Sequence, residues 1–137
     1  IYGLGMGRKN FGKFLIEALS RGERVRALID QWLSPTLNTL LAKAVVEILE
    51  RGLEGTYHVA GERVSRYEFA VRLARRFGFD TSLIEQARMS DFSWFAKRPK
   101  DSSLDCSATK CVLTTNFNSL DYSLNLLYQE WVSEVGR

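Results

Sequence analysis

At 137 residues, with 45% hydrophobic and 26% charged side chains, the chain has the length and composition of one ordinary globular domain. Nineteen basic against 16 acidic residues give a net charge of +3 with the signs interspersed, which makes no case for a nucleic-acid partner. Cys106 and Cys111 are too few for a disulfide scaffold and lack metal-ligand company, so they read as free thiols of a reducing, cytoplasmic compartment; no apolar run approaches a membrane span and no signal peptide opens the chain.

The opening Ile1-Tyr2-Gly3 reads as the end of a strand, so the sequence is expected to be a piece of something longer. Gly7 to Lys13 spells G-x-x-x-x-G-K, the loop that cradles phosphates in nucleotide hydrolases. It fails as such a loop: Phe14 stands where Ser or Thr must hold magnesium, and no apolar strand ending in Asp follows. The series Gly3, Gly5, Gly7 misses the dinucleotide fingerprint as well, because Arg8 takes the place of the third glycine. What remains is a helix start at Asn10 flanked by Arg8, Lys9 and Lys13. It is either an anion site, made of free amides, the positive dipole end and cations, or a solvated basic turn.

Asn10 caps a helix whose apolar positions Phe11, Phe14, Leu15, Ala18 and Leu19 follow the helical period, with Gly22 at its stop. Val25, Ala27 and Ile29 share one face of a strand. After the turn "QWLSPT", Ser34 or Thr36 can cap a helix over about residues 36–51, striped by Leu37, Leu40, Leu41, Ala44, Val45, Ile48 and Leu49. "GTYHVAG", residues 55–61, reads as a short strand that carries the single histidine, His58, in a core or backbone-bonded role. Ser65 and Glu68 form a capping box opening a helix with Phe69, Ala70, Leu73, Ala74 and Phe77 inward and Gly78 at its end.

Residues 81–87 read as a strand, and 88–103 as a long polar loop whose Phe92, Trp94 and Phe95 either stack on a ring or plug the core. Within it, Arg98 precedes Pro99 on a restrained backbone, as a grip for phosphate or carboxylate or as a plain surface arginine. A short helix near Ser107 and a last one over about 119–135, lined by Leu120, Leu124, Leu127, Tyr128, Trp131 and Val135, complete the chain. Strands alternating with helices give an α/β architecture. So few strands make a poor sheet. The stripes at 36–51 and 65–77 are therefore expected to face a surface outside this chain, which should associate as a homo-oligomer.

Four segments in order resemble the C-terminal part of the extended short-chain dehydrogenase/reductases, and within them the dTDP-4-dehydrorhamnose reductases. They are "IYG" followed by "KNFGKFLIEAL", "IDQWLSPT", "GTYHVAGERVSRYEFA" and "RPKDSSLDCSATK". The resemblance implies an α/β, NAD(P)-binding Rossmann-type parent. Residues 1–137 would be its substrate-binding part, helices with a few short strands, with the N-terminal cofactor-binding part absent. It implies hydride transfer from NADPH or NADH to a nucleotide-activated 4-keto sugar, dTDP-4-dehydro-L-rhamnose giving dTDP-L-rhamnose.

In such enzymes a Tyr and a Lys, spaced Y-x-x-x-K, carry the chemistry with a Ser or Thr. Here the residues four places after each tyrosine are Met6, Gly61, Val71, Leu126 and Val132, so the chain holds no catalytic pair, and no bound cofactor is expected for it alone. By resemblance, Asn10 and Phe11 lie near the nucleotide diphosphate, and Gln31 and Trp32 border the sugar nucleotide. Pro35 and Thr36 shape that turn, and Arg98 grips the diphosphate or nucleotide. Departures are Leu33 for the usual Gly, Ile29 where a second Asp is common, and "ATK" where Lys directly follows Ser107. Two alternatives fit similar segments: a non-catalytic relative serving as the regulatory subunit of methionine adenosyltransferase, and a sibling nucleotide-sugar epimerase or dehydratase.

Overall fold

Asn10 sets the first helix, α1 (Phe11–Ser20). In the computed structural model, which describes residues 1–5 and 9–135, its Oδ1 accepts from the Lys13 amide at 3.0 Å while its Nδ2 donates to the Gly3 carbonyl at 2.8 Å. One side chain thus satisfies an orphan amide of the first turn and ties down the entering chain. Met6, Gly7 and Arg8 lie outside the described residues, and with them the heart of the glycine series and the Arg8 flank; so does the side chain of Val135. Gly22 takes a φ of 71° just past α1, a left-handed turn that glycine enters without steric penalty.

The order continues through β1 (Val25–Leu28), β2 (Trp32–Leu33), α2 (Asn38–Glu50), β3 (Val64–Ser65), α3 (Arg66–Phe77), β4 (Ile84–Ala87), α4 (Ser107–Val112) and α5 (Leu120–Val135), with 3₁₀ turns at 81–83 and 89–91. β1 pairs in parallel with β4, and β2 pairs antiparallel with β3. The fold is therefore the expected mix of helices with a few short strands, divided between two small sheets.

At the centre stands α3. Ser65 caps it, its Oγ accepting from the Glu68 amide at 3.0 Å, while the Glu68 carboxylate lies 3.6 Å from Arg72. Phe69, Ala70, Leu73, Ala74 and Phe77 are all buried against α1, α5 and β1. Phe69 meets Tyr2 edge-on at 5.1 Å, and Phe77 meets Tyr128 at 5.2 Å. The α3 stripe is thus satisfied within the chain, contrary to expectation. α2 differs: Leu40 and Ala44 are buried, whereas Val45, Val46 and Leu49 are exposed, Leu49 by 74%.

Two further expectations fail for non-local reasons. Residues 55–61 form no strand, and at the end of the segment two backbone groups are bonded to distant side chains instead. Gly61 donates to Thr36 Oγ1 at 3.1 Å, and the Ala60 carbonyl accepts from Asn118 Nδ2 at 2.9 Å. His58 on this segment is exposed, not a core residue. Nor do Ser34 and Thr36 cap α2, whose cap position is Leu37, without a side-chain bond. The Thr36 hydroxyl is engaged by Gly61 and by the Ser34 carbonyl, while Ser34 Oγ accepts from the Leu104 amide at 3.3 Å.

Glu47 clasps the far end of α2. Its carboxylate accepts from the amides of Thr114 (2.6 Å) and Thr115 (2.8 Å), from both their hydroxyls, and from Arg51 at 2.7 Å. These donors, the Thr114 amide foremost, hold its pKa far below the usual carboxylate value.

Two outcomes follow from these contacts. A Cβ at position 61 would stand 1.8 Å from the Pro35 carbonyl oxygen. Gly61→Ala should therefore cost about 3 kcal/mol of stability, read from urea unfolding; a loss below about 0.5 kcal/mol would show that the backbone gives way. Because folding depresses the pKa of Glu47, its contribution is complete above the unfolded value of 4.5 and is lost as pH falls below it. The urea midpoint should drop between neutral pH and pH ~3, and Glu47→Gln should flatten that drop. Parallel pH profiles for the two proteins would refute the assignment.

Candidate functional site

Strand parity sorts the residues around two adjoining hollows. The larger is a cleft of about 550 Å³ between the start of α1, the end of β1, the start of α3 and the 92–102 loop. The smaller, about 250 Å³, is lined by Tyr2, Asn10, Phe11, Leu33, Pro35 and Phe69 among others. Phe11 and Arg66 belong to both and form the wall between them. Successive strand residues face opposite ways, so Gln31 reaches the larger hollow and Leu33 the smaller, while Trp32 between them lines neither. The Trp32 ring lies instead under the Arg63 guanidinium at 4.1 Å, and Arg63 is bonded to Asp101 Oδ2 at 3.0 and 2.8 Å.

The loop is stitched on as further strand-like pairing. Trp32 donates its amide to the Lys100 carbonyl at 2.7 Å, and the Ser102 amide donates back to Trp32 at 3.0 Å. This places Arg98 and Pro99 at the cleft. Upstream, Asp30 Oδ1 accepts from the Met89 amide at 2.9 Å, and Trp94 Nε1 donates to the Met89 carbonyl at 2.8 Å. Phe92 and Trp94, 5.9 Å apart, make an aromatic wall with Arg26 over Phe92 at 4.8 Å. Of the three loop aromatics named from sequence, Phe95 alone stands fully in solvent.

Arg66, which sequence reasoning missed, is the first residue of α3. Its Nε donates to Gln31 Oε1 at 2.5 Å, and its guanidinium lies 5.1 Å from the Phe11 ring. Burial first, then the Arg98 charge, pull its pKa below the ordinary arginine value. Among the described residues neither Arg66 nor Arg98 has a carboxylate partner, and of the three arginines that line the cleft Arg26 alone has one, Asp91 at 3.5 Å. Three guanidinium groups beside aromatic walls, with one carboxylate among them, suit a polyanionic ligand carrying a ring.

Of the residues expected to bind substrate, Phe11, Gln31 and Arg98 line the larger hollow, and Asn10, Phe11 and Pro35 the smaller. Thr36 is buried and bonded to Gly61, and the polar atoms of Asn10 serve the α1 cap. A local signal for Arg66 did exist: a cation in the first turn opposes the helix dipole, and such a conflict marks a position chosen for something other than helix stability. Tyr2 lines the smaller hollow, but burial raises its pKa, the reverse of what a proton-donating tyrosine needs. Among the described residues no cluster of His, Cys, Asp and Glu is placed to hold a metal, and no helix is long and apolar enough to cross a membrane.

Known proteins share this fold. A dTDP-4-dehydrorhamnose reductase from Clostridium acetobutylicum superposes with a TM-score of 0.80 at 27% identity, covering 95% of this chain and 45% of its own. The dTDP-4-dehydrorhamnose reductase of Bacillus anthracis, solved in complex with NADP, gives 0.80 at 25% identity, over 94% of this chain and 45% of its own. A probable low-salt glycan biosynthesis reductase of Haloferax volcanii is 33% identical over 98 residues, 71% of this chain and 33% of that protein. The chain thus spans between a third and a half of the length of these relatives. The model of the family described as the RmlD substrate binding domain matches residues 1–132, and this chain belongs to that family.

Proposed function

We propose that this chain is the substrate-binding part of an NAD(P)H-dependent nucleotide-sugar reductase, whose whole form reduces dTDP-4-dehydro-L-rhamnose to dTDP-L-rhamnose. The observation that carries the reading is the pair Arg66 and Arg98, without carboxylate partners among the described residues, on one aromatic-walled cleft. A sugar-nucleotide diphosphate presents two negative charges and paired non-bridging acceptor oxygens, and guanidinium forks match both. Phe92 and Trp94 offer faces for the base. The adjoining hollow, with the start of α1 at its rim, takes the sugar side.

The described residues do not build a dinucleotide fold. Their strands fall into two separate two-stranded sheets, so they build no doubly wound sheet with a switch point to seat a dinucleotide. With no tyrosine followed four places later by lysine, the proton and hydride steps are assigned to the remainder of the parent. The NADP held by the Bacillus anthracis relative supports NADPH as the donor there. What this chain contributes is grip and orientation of the substrate.

Calorimetric titration with dTDP-L-rhamnose tests the site. Arg66→Ala and Arg98→Ala should each weaken binding by about tenfold or more, the effect of one charge-assisted bond, while Arg75→Ala should leave it unchanged. Affinity indifferent to both cleft arginines would overturn the reading. The 137-residue chain should not oxidise NADPH in the presence of the 4-keto sugar, whereas the full parent should deliver deuterium from labelled NADPH to sugar carbon 4. Turnover by the chain alone, or a parent product without the label, would refute it.

A further inference from the structure

Gln31 joins the two sides of the larger cleft. It is 8% exposed, and both ends of its amide are engaged: Oε1 accepts from Arg66 Nε at 2.5 Å, and Nε2 donates to the Pro99 carbonyl at 3.2 Å. The partners fix which amide atom is which, because a guanidinium only donates and a carbonyl only accepts. The Arg66 amide also donates to the Gln31 carbonyl at 3.2 Å, so backbone and side chain together bind the start of α3 to this residue.

Elsewhere the chain holds arginines differently. Arg21, Arg63 and Arg72 each donate from Nε to a carboxylate, of Glu23, Asp101 and Asp121 respectively. Among the described residues Arg66 alone donates from Nε to a neutral amide. A carboxylate in that place would orient the guanidinium equally well, but it would cancel its charge and face the Pro99 carbonyl without a proton to give. An apolar residue of the same length would make neither bond. Holding Nε leaves the two terminal nitrogens as a fork, and among the described residues these meet no protein acceptor.

We propose that Gln31 is a charge-neutral positioning residue, which fixes Arg66 and the loop of Arg98 for a bound diphosphate while leaving both positive charges uncancelled. The inference rests on reading this cleft as the diphosphate site. It makes Gln31 a spacer between like charges: Arg66 and Arg98 repel each other, and a neutral tether on each side opposes their drift apart until the anion arrives.

The test uses the chain labelled with 15N-arginine, following the Arg66 Nε–H signal during titration with inorganic pyrophosphate and, separately, with dTDP-glucose. Both probes should move that signal. Gln31→Met should weaken pyrophosphate binding about tenfold and Gln31→Glu about a hundredfold, even though glutamate keeps an acceptor on Arg66. A purely structural role predicts the opposite order, so Gln31→Glu binding as well as or better than Gln31→Met overturns the inference. An Arg66 signal that neither probe moves overturns it too. Pyrophosphate binding without dTDP-glucose binding upholds the positioning role and sinks the nucleotide-sugar reading of the site. Should either Gln31 variant fail to fold, Arg66→Lys decides, since lysine keeps the charge but cannot be held at Nε and offer a fork. It should bind pyrophosphate about tenfold more weakly, and wild-type affinity would overturn the proposal.

Discussion

Burial of α3 governs everything around the cleft. Its inward face carries Phe69, Leu73 and Phe77, each at most 8% exposed. Burial of side chains of this size stabilises by roughly 2 kcal/mol apiece. The register this fixes puts Arg66 at the first turn, where a cation opposes the helix dipole at a cost of under about 1 kcal/mol. Burial outweighs the dipole, and the helix tolerates an arginine it would not choose for its own sake. The positive charge is then delivered to the cleft by the most firmly anchored element of the fold, as a site that must hold a ligand in one orientation requires.

Parity along residues 31–33 performs a second sorting. Gln31 faces the arginines, Leu33 lines the smaller hollow, and Trp32 turns to the opposite side beneath Arg63. One-residue alternation thus gives adjacent positions different tasks: Gln31 holds a charge in place, and Trp32 with Arg63 and Asp101 secures the loop that carries Arg98. Leu33 occupies a position where the resembled motif has glycine, so in this chain the smaller hollow gains an apolar side chain on its wall.

Features written in a few consecutive residues were legible. Asn10 as a cap, Ser65 accepting from Glu68, and the glycines that close α1 and α3 all follow from local backbone chemistry, and the structure reproduces them. What failed depended on partners far along the chain. The 55–61 segment has strand-like composition, but its end is held by side chains from 25 and 58 residues away, and Thr36 looks like a cap until Gly61 claims its hydroxyl. The stripe on α3 looked unpartnered because its partners, α1 and α5, flank it from both ends of the sequence. The cleft divides the same way: Phe11, Gln31 and Arg98 stood in readable motifs, whereas the place of Arg66 is defined by a bond to a residue 35 positions earlier.

Net charge is a poor guide to such a site, because pairing redistributes it. The chain carries only +3, with acids and bases interspersed. Yet Glu23, Glu47, Glu85, Asp101 and Asp121 are each drawn to an arginine away from the cleft, at Arg21, Arg51, Arg24, Arg63 and Arg72. Exposed pairs of this kind add little stability, with a median of about 0–1 kcal/mol. Their consequence here is spatial: acids held elsewhere cannot neutralise Arg66 and Arg98. Two guanidinium groups are thereby left uncompensated on one cleft, and for the half-buried Arg66 a lower effective dielectric strengthens the attraction for an anion. An interspersed charge pattern in the sequence and a cleft with two uncompensated arginines in the fold are therefore compatible, since the fold and not the composition decides where the acids are held.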